Sequence, residues 1–284
     1  MKINDFTTEV KPTWCPGCGN YAILNAIKMA LAKSGLAYDD LAIAYGIGCA
    51  GNTSNLLKAC GIETLHGRPV AVAEGIKLAN NRLNVLAIAG DGDSFGIGAS
   101  HIIHAARRNI DITLIVFDNH RYSLTTGQAS PTTDLGDVTK TTLMGNIEDP
   151  YNPIAMALSA DASFVARGFA GWPPAKLADL ILEAINHKGF SLIDILQPCV
   201  TFNEFNTFSW YQKRLYDLPK TYLPNSRTKA FVKALEWGEK IPAGIFYDQT
   251  KPTYEGQQPQ LSKKPLMKAD LGITNLSQLM DEFV

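Results

Sequence analysis

Short, continuously apolar runs alternate with helix-like stretches through the first 200 residues, and this alternation constrains the fold more than any other feature. The apolar runs predict strands at residues 41–46, 84–89 and 112–117, and two further strands are predicted at residues 163–166 and 191–196. The stretches between them have helical spacing, at residues 20–33, 70–80, 98–108 and 173–189. Strands that are apolar on both faces are typical of a parallel sheet covered by helices on both sides. The sequence therefore predicts an α/β fold with such a sheet.

The chain changes character after about residue 200. Residues 201–284 carry scattered prolines and aromatic side chains such as Trp210 and Tyr222, with weak periodicity. We expect residues 1–200 to form one domain that contains the functional sites, and residues 201–284 to form an irregular extension that packs on a partner subunit. Residues 119–152 also lack periodicity, and loops of that length are usually functional.

Charge and cysteine content exclude several classes of protein. The 284 residues carry a net charge of −1 without a basic cluster, so no nucleic-acid partner is expected. No apolar run reaches the roughly 20 residues that span a bilayer, and the first residues lack an apolar signal core. We therefore expect no membrane association and a cytoplasmic location. Five cysteines without an export signal favour metal or redox use over disulfides.

An acidic residue between two glycines follows the second predicted strand, and an amide residue follows the third. These residues are Asp91, between Gly90 and Gly92, and Asn119. Because the carboxyl ends of parallel strands meet at one edge of a sheet, we expect Asp91 and Asn119 to lie together. Magnesium takes few oxygens from protein and the rest from phosphate and water. The pattern therefore predicts a site for a magnesium diphosphate.

Three other interpretations of residues 90–96 fit less well. A dinucleotide-binding fingerprint needs its third glycine one place earlier than Gly96. A calcium loop of the EF-hand type needs oxygen donors at the positions of Phe95 and Ile102. An ordinary strand-to-helix turn would not account for the asparagine at the end of the next strand.

Four cysteines are candidates for one metal site. Cys15 and Cys18 form a Cys-x-x-Cys pair before the first predicted helix, whereas Cys49 and Cys199 stand alone. A thioredoxin-type dithiol would follow a strand, and structural zinc more often uses two Cys-x-x-Cys pairs. An iron–sulfur cluster tolerates scattered ligands, so spacing alone leaves zinc and iron–sulfur open. Cys60 lies in an apolar run and is expected to be a buried packing residue.

Taken in order, these motifs resemble a known family. Gly-Asp-Gly followed by an asparagine at position 119 is similar to the signature of the thiamine-diphosphate enzymes. The chain from residue 12 to about 218 resembles the small (β) subunit of 2-oxoacid:ferredoxin oxidoreductases. The motifs that carry this resemblance are Cys-Pro-Gly-Cys-Gly, Gly-Ile-Gly-Cys, Leu-His-Gly-Arg, Gly-Asp-Gly, Tyr-Ser-x-Thr-x-Gly-Gln and Pro-Cys. Residues 198–203 resemble most the 2-oxoglutarate branch of that family.

The resemblance implies a thiamine-diphosphate-binding fold with three cofactors: thiamine diphosphate, Mg²⁺ and one [4Fe–4S] cluster. The implied magnesium ligands are Asp91, Asn119 and the main-chain carbonyl of Arg121. The implied cluster ligands are Cys15, Cys18, Cys49 and Cys199. The implied contacts of thiamine diphosphate are Ile47, Gly48, Cys49, Ala50, His66, Gly90, Gly92, Asp93, Ser123 and Leu124.

The resemblance also implies a reaction and its partners. A 2-oxoacid and coenzyme A would be converted reversibly to acyl-CoA and CO₂, with the electrons passed to ferredoxin. No glutamate here matches the residue that activates thiamine, so that residue is expected on an α subunit with the pyrimidine-binding domain, in an αβ or (αβ)₂ assembly. The favoured substrate is 2-oxoglutarate; pyruvate or a broad range of 2-oxoacids is the alternative. A thiamine half-enzyme without redox chemistry, with structural zinc on the cysteines, is the alternative from another class.

Overall fold

The structure is a computed structural model that describes residues 1–269 and 275–282. Its strands are β1 (Leu41–Tyr45), β2 (Cys60–Glu63), β3 (Asn84–Gly90), β4 (Ile112–Asp118), β5 (Arg121–Tyr122), β6 (Gln128–Ala129), β7 (Phe164–Phe169), β8 (Ser191–Leu196), β9 (Leu215–Asp217) and β10 (Ile241–Asp248). Its α-helices are α1 (Asn20–Ser34), α2 (Pro69–Ala79), α3 (Ala99–Arg108), α4 (Pro153–Ser159), α5 (Pro174–Asn186), α6 (Phe208–Arg214), α7 (Arg227–Ala234) and α8 (Ser277–Asp281). Among the described residues, no helix is both long enough and apolar enough to cross a membrane.

Eight strands form one sheet in the order β2-β1-β3-β4-β8-β7-β10-β9. The first six strands in this order, β2, β1, β3, β4, β8 and β7, are parallel to their neighbours. Strand β10 runs antiparallel to β7 and parallel to β9. The register brings the carboxyl ends of β1, β3, β4 and β8 to the same edge of the sheet. The loops that leave this edge begin at Gly46, Asp91, Asn119 and Gln197.

Helices cover both faces of the sheet. Helices α1 and α5 pack on one face, and α2, α3, α4 and α7 pack on the other. Strands β4, β7 and β8 are buried along their whole length, so most of their side chains are apolar, and the charged residues Arg167 on β7 and Asp194 on β8 pair with each other at 3.0 Å. The prediction of a parallel sheet between two helical layers is confirmed for the first six strands in the sheet order, from β2 at the edge to β7.

The strands and helices predicted within the first 200 residues are all present, with small shifts at their ends. Helix α1 stops where predicted, because Gly35 takes up the left-handed conformation that ends it. Helix α5 ends at Asn186, three residues before the predicted stop at Gly189. Strands β9 and β10 extend the sheet beyond residue 200. Periodicity did not reveal β10, which is partly exposed in its middle and contains Pro242 and Gly244.

Cys60 is not a core residue. It lies at the start of β2, and its side chain is exposed. Among the described residues, β2 pairs with β1 alone at the edge of the sheet, and all four of its residues are exposed. The apolar run that suggested burial, Leu56 and Leu57, is buried but ends before this strand. The prediction that Cys60 is a buried packing residue is therefore wrong.

Candidate active site

A cavity of about 230 Å³ lies at the carboxyl edge of the sheet. It is lined by Ile47, Gly48, Cys49, Ala50, His66, Gly90, Asp91, Gly92, Asp93, Asn119, Arg121, Tyr122, Ser123, Leu124 and Thr125. The structure thus brings together all the residues that the sequence assigns to thiamine diphosphate and magnesium. Their roles as ligands stay predictions. Tyr122 and Thr125, to which the sequence assigned no role, complete the lining.

Asp91 follows β3 directly, and its carboxyl group is buried. The hydroxyl of Thr132 lies 2.9 Å from Asp91 Oδ2 and 2.8 Å from Asp118 Oδ1. Because a hydroxyl has one hydrogen, it donates to only one of these carboxyl groups at a time. Burial raises the pKa of Asp91, and burial together with the nearby charges of Asp194 and Asp91 raises the pKa of Asp118 well above its usual value. A buried carboxylate that shares a donor with a second carboxyl group is stabilised by a cation beside it, so Asp91 fits a metal ligand.

Asn119 follows β4 directly, and its side-chain amide is held in one orientation. The amide oxygen accepts hydrogen bonds from the backbone N–H of Arg121 at 3.1 Å and from the hydroxyl of Ser123 at 3.0 Å. The amide nitrogen donates to Gln197 Oε1 at 2.9 Å. The oxygen therefore lies on the side of Arg121 and Ser123, which line the cavity. Carboxylate and amide oxygens on neighbouring strand ends are the hard donors that Mg²⁺ prefers.

The carboxylate of Asp93 ties two loops to the end of β3. It accepts hydrogen bonds from the backbone N–H groups of Gly67 and, at 3.1 Å, of Ile47, and it lies 2.9 Å from His66 Nδ1. Burial raises the pKa of Asp93, whereas these donors lower it. Since both carboxylate oxygens have protein partners, a diphosphate would meet the backbone N–H of Asp93. The predicted contact between Asp93 and the diphosphate stays a prediction.

Gly92 has no room for a side chain. A Cβ atom at this position would lie 2.2 Å from Cε1 of Tyr122. The hydroxyl of Tyr122 donates to the carbonyl of Gly92 at 3.2 Å, so the ring lies directly against the backbone. The chain then enters a helical turn, Gly92–Ile97, whose first N–H groups have no partner within the turn. Backbone N–H groups of this kind bind anions, which fits a diphosphate.

The four predicted cluster ligands line a second cavity, of about 170 Å³. These are Cys15, Cys18, Cys49 and Cys199. Four residues line both cavities, namely Cys49, Asn119, Ser123 and Leu124. The two cavities therefore share a wall, and a group held by the cysteines would lie directly beside a ligand of the first cavity.

Hydrogen bonds hold the cysteine-bearing loops together. The indole N–H of Trp14 donates to the carbonyl of Cys49 at 2.8 Å, and the backbone N–H of Gly19 donates to the carbonyl of Pro198 at 3.3 Å. Burial raises the pKa of the Cys18 thiol to about 11. Burial and the other three cysteines raise the pKa of Cys49 to about 12. Four thiolates in this cavity therefore need a positively charged group to compensate them, as a metal centre provides.

The geometry of the four cysteines does not identify a particular metal centre. Within residues 1–269 and 275–282, no group of three or more His, Cys, Asp or Glu side chains is arranged to hold a metal ion. Four thiolates on zinc lie within about 4 Å of one another, because each Zn–S bond is about 2.3 Å long. A centre with several metal ions is larger and takes ligands that stand further apart. The iron–sulfur cluster on these cysteines therefore stays a prediction, with zinc as its alternative.

Three residues that support the site were not predicted from the sequence. Thr132 lies in the long loop without periodicity, and Tyr122 packs on Gly92 only after the chain has folded. Gln197 contacts Asn119 and Cys18, which are distant in sequence. Its position directly before the Pro-Cys motif is the one local signal that could have drawn attention to it.

Comparison with known proteins agrees with the site. Residues 42–195 match the thiamine pyrophosphate enzyme family, C-terminal TPP binding domain. Residues 199–263 match the family that describes the C-terminal part of the pyruvate ferredoxin oxidoreductase beta subunit. Fold, cavity and match together define the class of the protein as a thiamine-diphosphate-binding enzyme subunit.

Individual relatives specify the family. A 2-oxoacid:ferredoxin oxidoreductase subunit beta from Sulfolobus sp is 47% identical, over 85% of this chain and 84% of its own length. The 2-oxoglutarate oxidoreductase subunit KorB of Mycobacterium tuberculosis is 43% identical over 72% of this chain and 54% of its own length. A structure of 2-oxoglutarate:ferredoxin oxidoreductase from Magnetococcus marinus, with 2-oxoglutarate, coenzyme A and succinyl-CoA bound, superposes with a TM-score of 0.91 at 35% identity, covering 99% of this chain and 96% of that chain. The chain belongs to the family of 2-oxoacid:ferredoxin oxidoreductase β subunits, and it functions in an enzyme complex with an α subunit.

Proposed function

We propose that this chain holds thiamine diphosphate through Mg²⁺ in the larger cavity and one [4Fe–4S] cluster in the adjoining one. Asp91, Asn119 and the carbonyl of Arg121 would hold the magnesium ion, and the four cysteines Cys15, Cys18, Cys49 and Cys199 would hold the cluster. The observation that carries the proposal is the shared wall between the two cavities. Electrons taken from the thiamine site would leave through a neighbouring cluster without crossing a layer of protein.

The residues of the larger cavity would bind and orient the cofactor. Backbone N–H groups of Gly92 and Asp93 would donate to the diphosphate, and Leu124 would form an apolar wall. His66 lies against Asp93, is partly exposed, and lines the same cavity. When bound, thiamine diphosphate supplies the electron sink for decarboxylation of a 2-oxoacid, and an iron–sulfur cluster accepts electrons one at a time.

We propose that the mouth of the larger cavity is covered by the α subunit, which also supplies the glutamate that activates thiamine. Apolar side chains around the mouth support this: Leu65 is 79% exposed, Ile97 57% and Leu124 52%. Large exposed apolar patches of this kind are typical of protein interfaces. We also propose that residues after 200 pack on the partner, since Phe205, Leu223 and Val232 expose apolar surface there; part of this segment, residues 270–274 and 283–284, lies outside the described residues.

We propose 2-oxoglutarate as the preferred substrate, with coenzyme A as acyl acceptor and ferredoxin as electron acceptor. The KorB relatives and the Magnetococcus structure support 2-oxoglutarate. The Sulfolobus relative, named for 2-oxoacids in general, supports a broad substrate range as the second candidate.

An anaerobic assay of the co-purified αβ complex tests this function. We expect reduction of a viologen dye that requires both coenzyme A and a 2-oxoacid, with the highest kcat/KM for 2-oxoglutarate. Similar kcat/KM values across a panel of 2-oxoacids would support the broad-range candidate instead. Turnover by this chain without its α subunit, or a colourless complex that contains zinc, would contradict the proposal.

Two carboxylate substitutions separate the magnesium site from general effects on the chain. Asp91→Asn removes a buried charge but keeps the side-chain shape, so we expect the fold to survive and the magnesium-dependent binding of thiamine diphosphate to be lost. Asp39→Asn makes the same chemical change at an exposed position and should bind the cofactor normally. Titration calorimetry on the complexes measures both. Equal affinities in the two variants would contradict the role of Asp91.

A further inference from the structure

Gln197 is a buried amide that touches both candidate cofactor sites. It follows β8 directly and is 1% exposed. Its oxygen accepts a hydrogen bond from Asn119 Nδ2 at 2.9 Å, and its nitrogen lies 3.5 Å from the sulfur of Cys18. We propose that Gln197 is a positioning residue that orients the magnesium ligand Asn119 and, through its N–H group, tunes the reduction potential of a cluster on Cys18. This inference rests on the function proposed above.

The carbonyl of Pro198 fixes which way the side-chain amides of Gln197 and Asn119 are turned. Gln197 Nε2 lies 2.7 Å from that carbonyl, and a carbonyl oxygen only accepts hydrogen bonds, so the NH₂ end of Gln197 must face it. The oxygen end of Gln197 then faces Asn119, which must present its own NH₂ group there. The oxygen of Asn119 is left on the opposite side, where Arg121 and Ser123 donate to it. Gln197, which does not line the magnesium cavity, thus supports the orientation of a metal ligand together with Arg121 and Ser123.

A glycine next to Cys18 lets the amide reach the sulfur. A Cβ atom on Gly19 would lie 2.9 Å from Cγ and 3.2 Å from Nε2 of Gln197, closer than ordinary contacts allow. The backbone N–H of Gln197 donates to the carbonyl of Asp118 at 2.7 Å, which fixes the other end of the residue. Gln197 is therefore held between the Cys18–Gly19 turn and the end of β4.

The contact with Cys18 has an electronic consequence. The two hydrogens of Gln197 Nε2 supply one hydrogen bond to Pro198 and one to the Cys18 sulfur. An N–H group that donates to a cluster thiolate stabilises the reduced, more negative state of the cluster and so raises its reduction potential. Loss of this donor would lower the potential, which would make the cluster a weaker acceptor for electrons from the thiamine site.

The test compares three variants of the anaerobically purified αβ complex. Gln197→Met removes both donor and acceptor, and we expect a lower cluster potential together with magnesium-dependent thiamine binding weakened by about tenfold or more. Gln197→Glu keeps an acceptor for Asn119 and loses at least one donor, so the potential should fall while thiamine binding is retained. Asn186→Met also replaces an amide by methionine, at an exposed position at the end of α5 and outside residues 201–284, and should alter neither quantity.

Redox titration followed by electron paramagnetic resonance gives the potential, and calorimetry gives the affinity. A wild-type complex without a cluster signal would overturn the proposed function itself. A wild-type complex with a normal cluster, alongside Gln197→Met and Gln197→Glu complexes with unchanged potential, would overturn the role of Gln197 alone. If the Gln197→Met complex does not assemble, the reduction potential of the Gln197→Glu complex tests the role of Gln197. Glutamate has nearly the same shape as glutamine but lacks the N–H donor to Cys18.

Discussion

Gly92→Ala should damage the diphosphate end of the cavity through one steric contact. Carbon atoms in contact stay at least about 3.5 Å apart, whereas the new Cβ would lie 2.2 Å from Cε1 of Tyr122. The ring must therefore move by roughly 1.3 Å or more, the difference between these two distances. Overpacking of this kind costs about 2 kcal/mol. The hydrogen bond from Tyr122 to the carbonyl of Gly92 is lost as well, at about 1 kcal/mol.

The expected destabilisation of about 3 kcal/mol lowers the melting temperature by roughly 6 °C, because 1 kcal/mol shifts Tm by about 2 °C in a chain of this size. Thermal unfolding of the αβ complex measures it, and calorimetry measures the accompanying loss of thiamine affinity. Tyr122→Ala supplies the control, since it removes the ring that the new methyl group meets. In that background Gly92→Ala should cost less than about 1 kcal/mol. An equal cost in both backgrounds would refute the steric explanation.

Three further predictions concern stability and the cysteines. Lys77→Met should cost about 3 kcal/mol, because it breaks a largely buried 2.7 Å ion pair and leaves Asp111 with the exposed Lys188 as its cationic partner. Burial raises the pKa of Asp111, but Lys77, Lys188 and the N–H of Gly189 together outweigh burial and hold that pKa below its usual value. The stabilisation is therefore complete at pH 7 and lost as the pH falls below about 3.9, which melting curves against pH would show. Cys60→Ser should leave the visible absorbance unchanged, whereas Cys49→Ser should abolish it. Trp14→Phe removes the hydrogen bond to the carbonyl of Cys49 and should speed the bleaching of that absorbance in air.

The part of the fold that positions the site followed from the sequence. Strands β3, β4 and β8 are largely buried, and their sequences are mostly apolar, although β8 contains Asp194; polar residues follow them at Asp91, Asn119 and Gln197. Because these strands are parallel, their ends meet, and this geometry is enough to place Asp91 beside Asn119. Strands near the ends of the sheet are different, since the edge strand β2 is exposed and β10, the last strand but one, carries Pro242 and is half-buried in its middle. A strand with only one neighbour, or with one open face, lacks the apolar pattern that sequence reasoning detects.

The supporting contacts of the site could not be predicted in this way. Thr132 reaches Asp91 from a loop without periodicity, and Gln197 joins Cys18 to Asn119 across 179 and 78 positions of sequence. Such contacts depend on how three separate loops pack at one sheet edge. Hydrogen-bonding residues in loops have no repeating spacing, so only the folded structure shows which of them meet.

Magnetic coupling between the two candidate metal sites is the most direct test of the claim that their cavities share a wall. Mn²⁺ can replace Mg²⁺ at an oxygen-ligand site and has an electron paramagnetic resonance signal of its own. In an anaerobic αβ complex loaded with thiamine diphosphate and Mn²⁺, reduction of the cluster with dithionite should broaden the Mn²⁺ signal, and Cys49→Ser should remove this effect. A Mn²⁺ signal that is unchanged by reduction of an intact cluster would contradict the shared wall between the two sites.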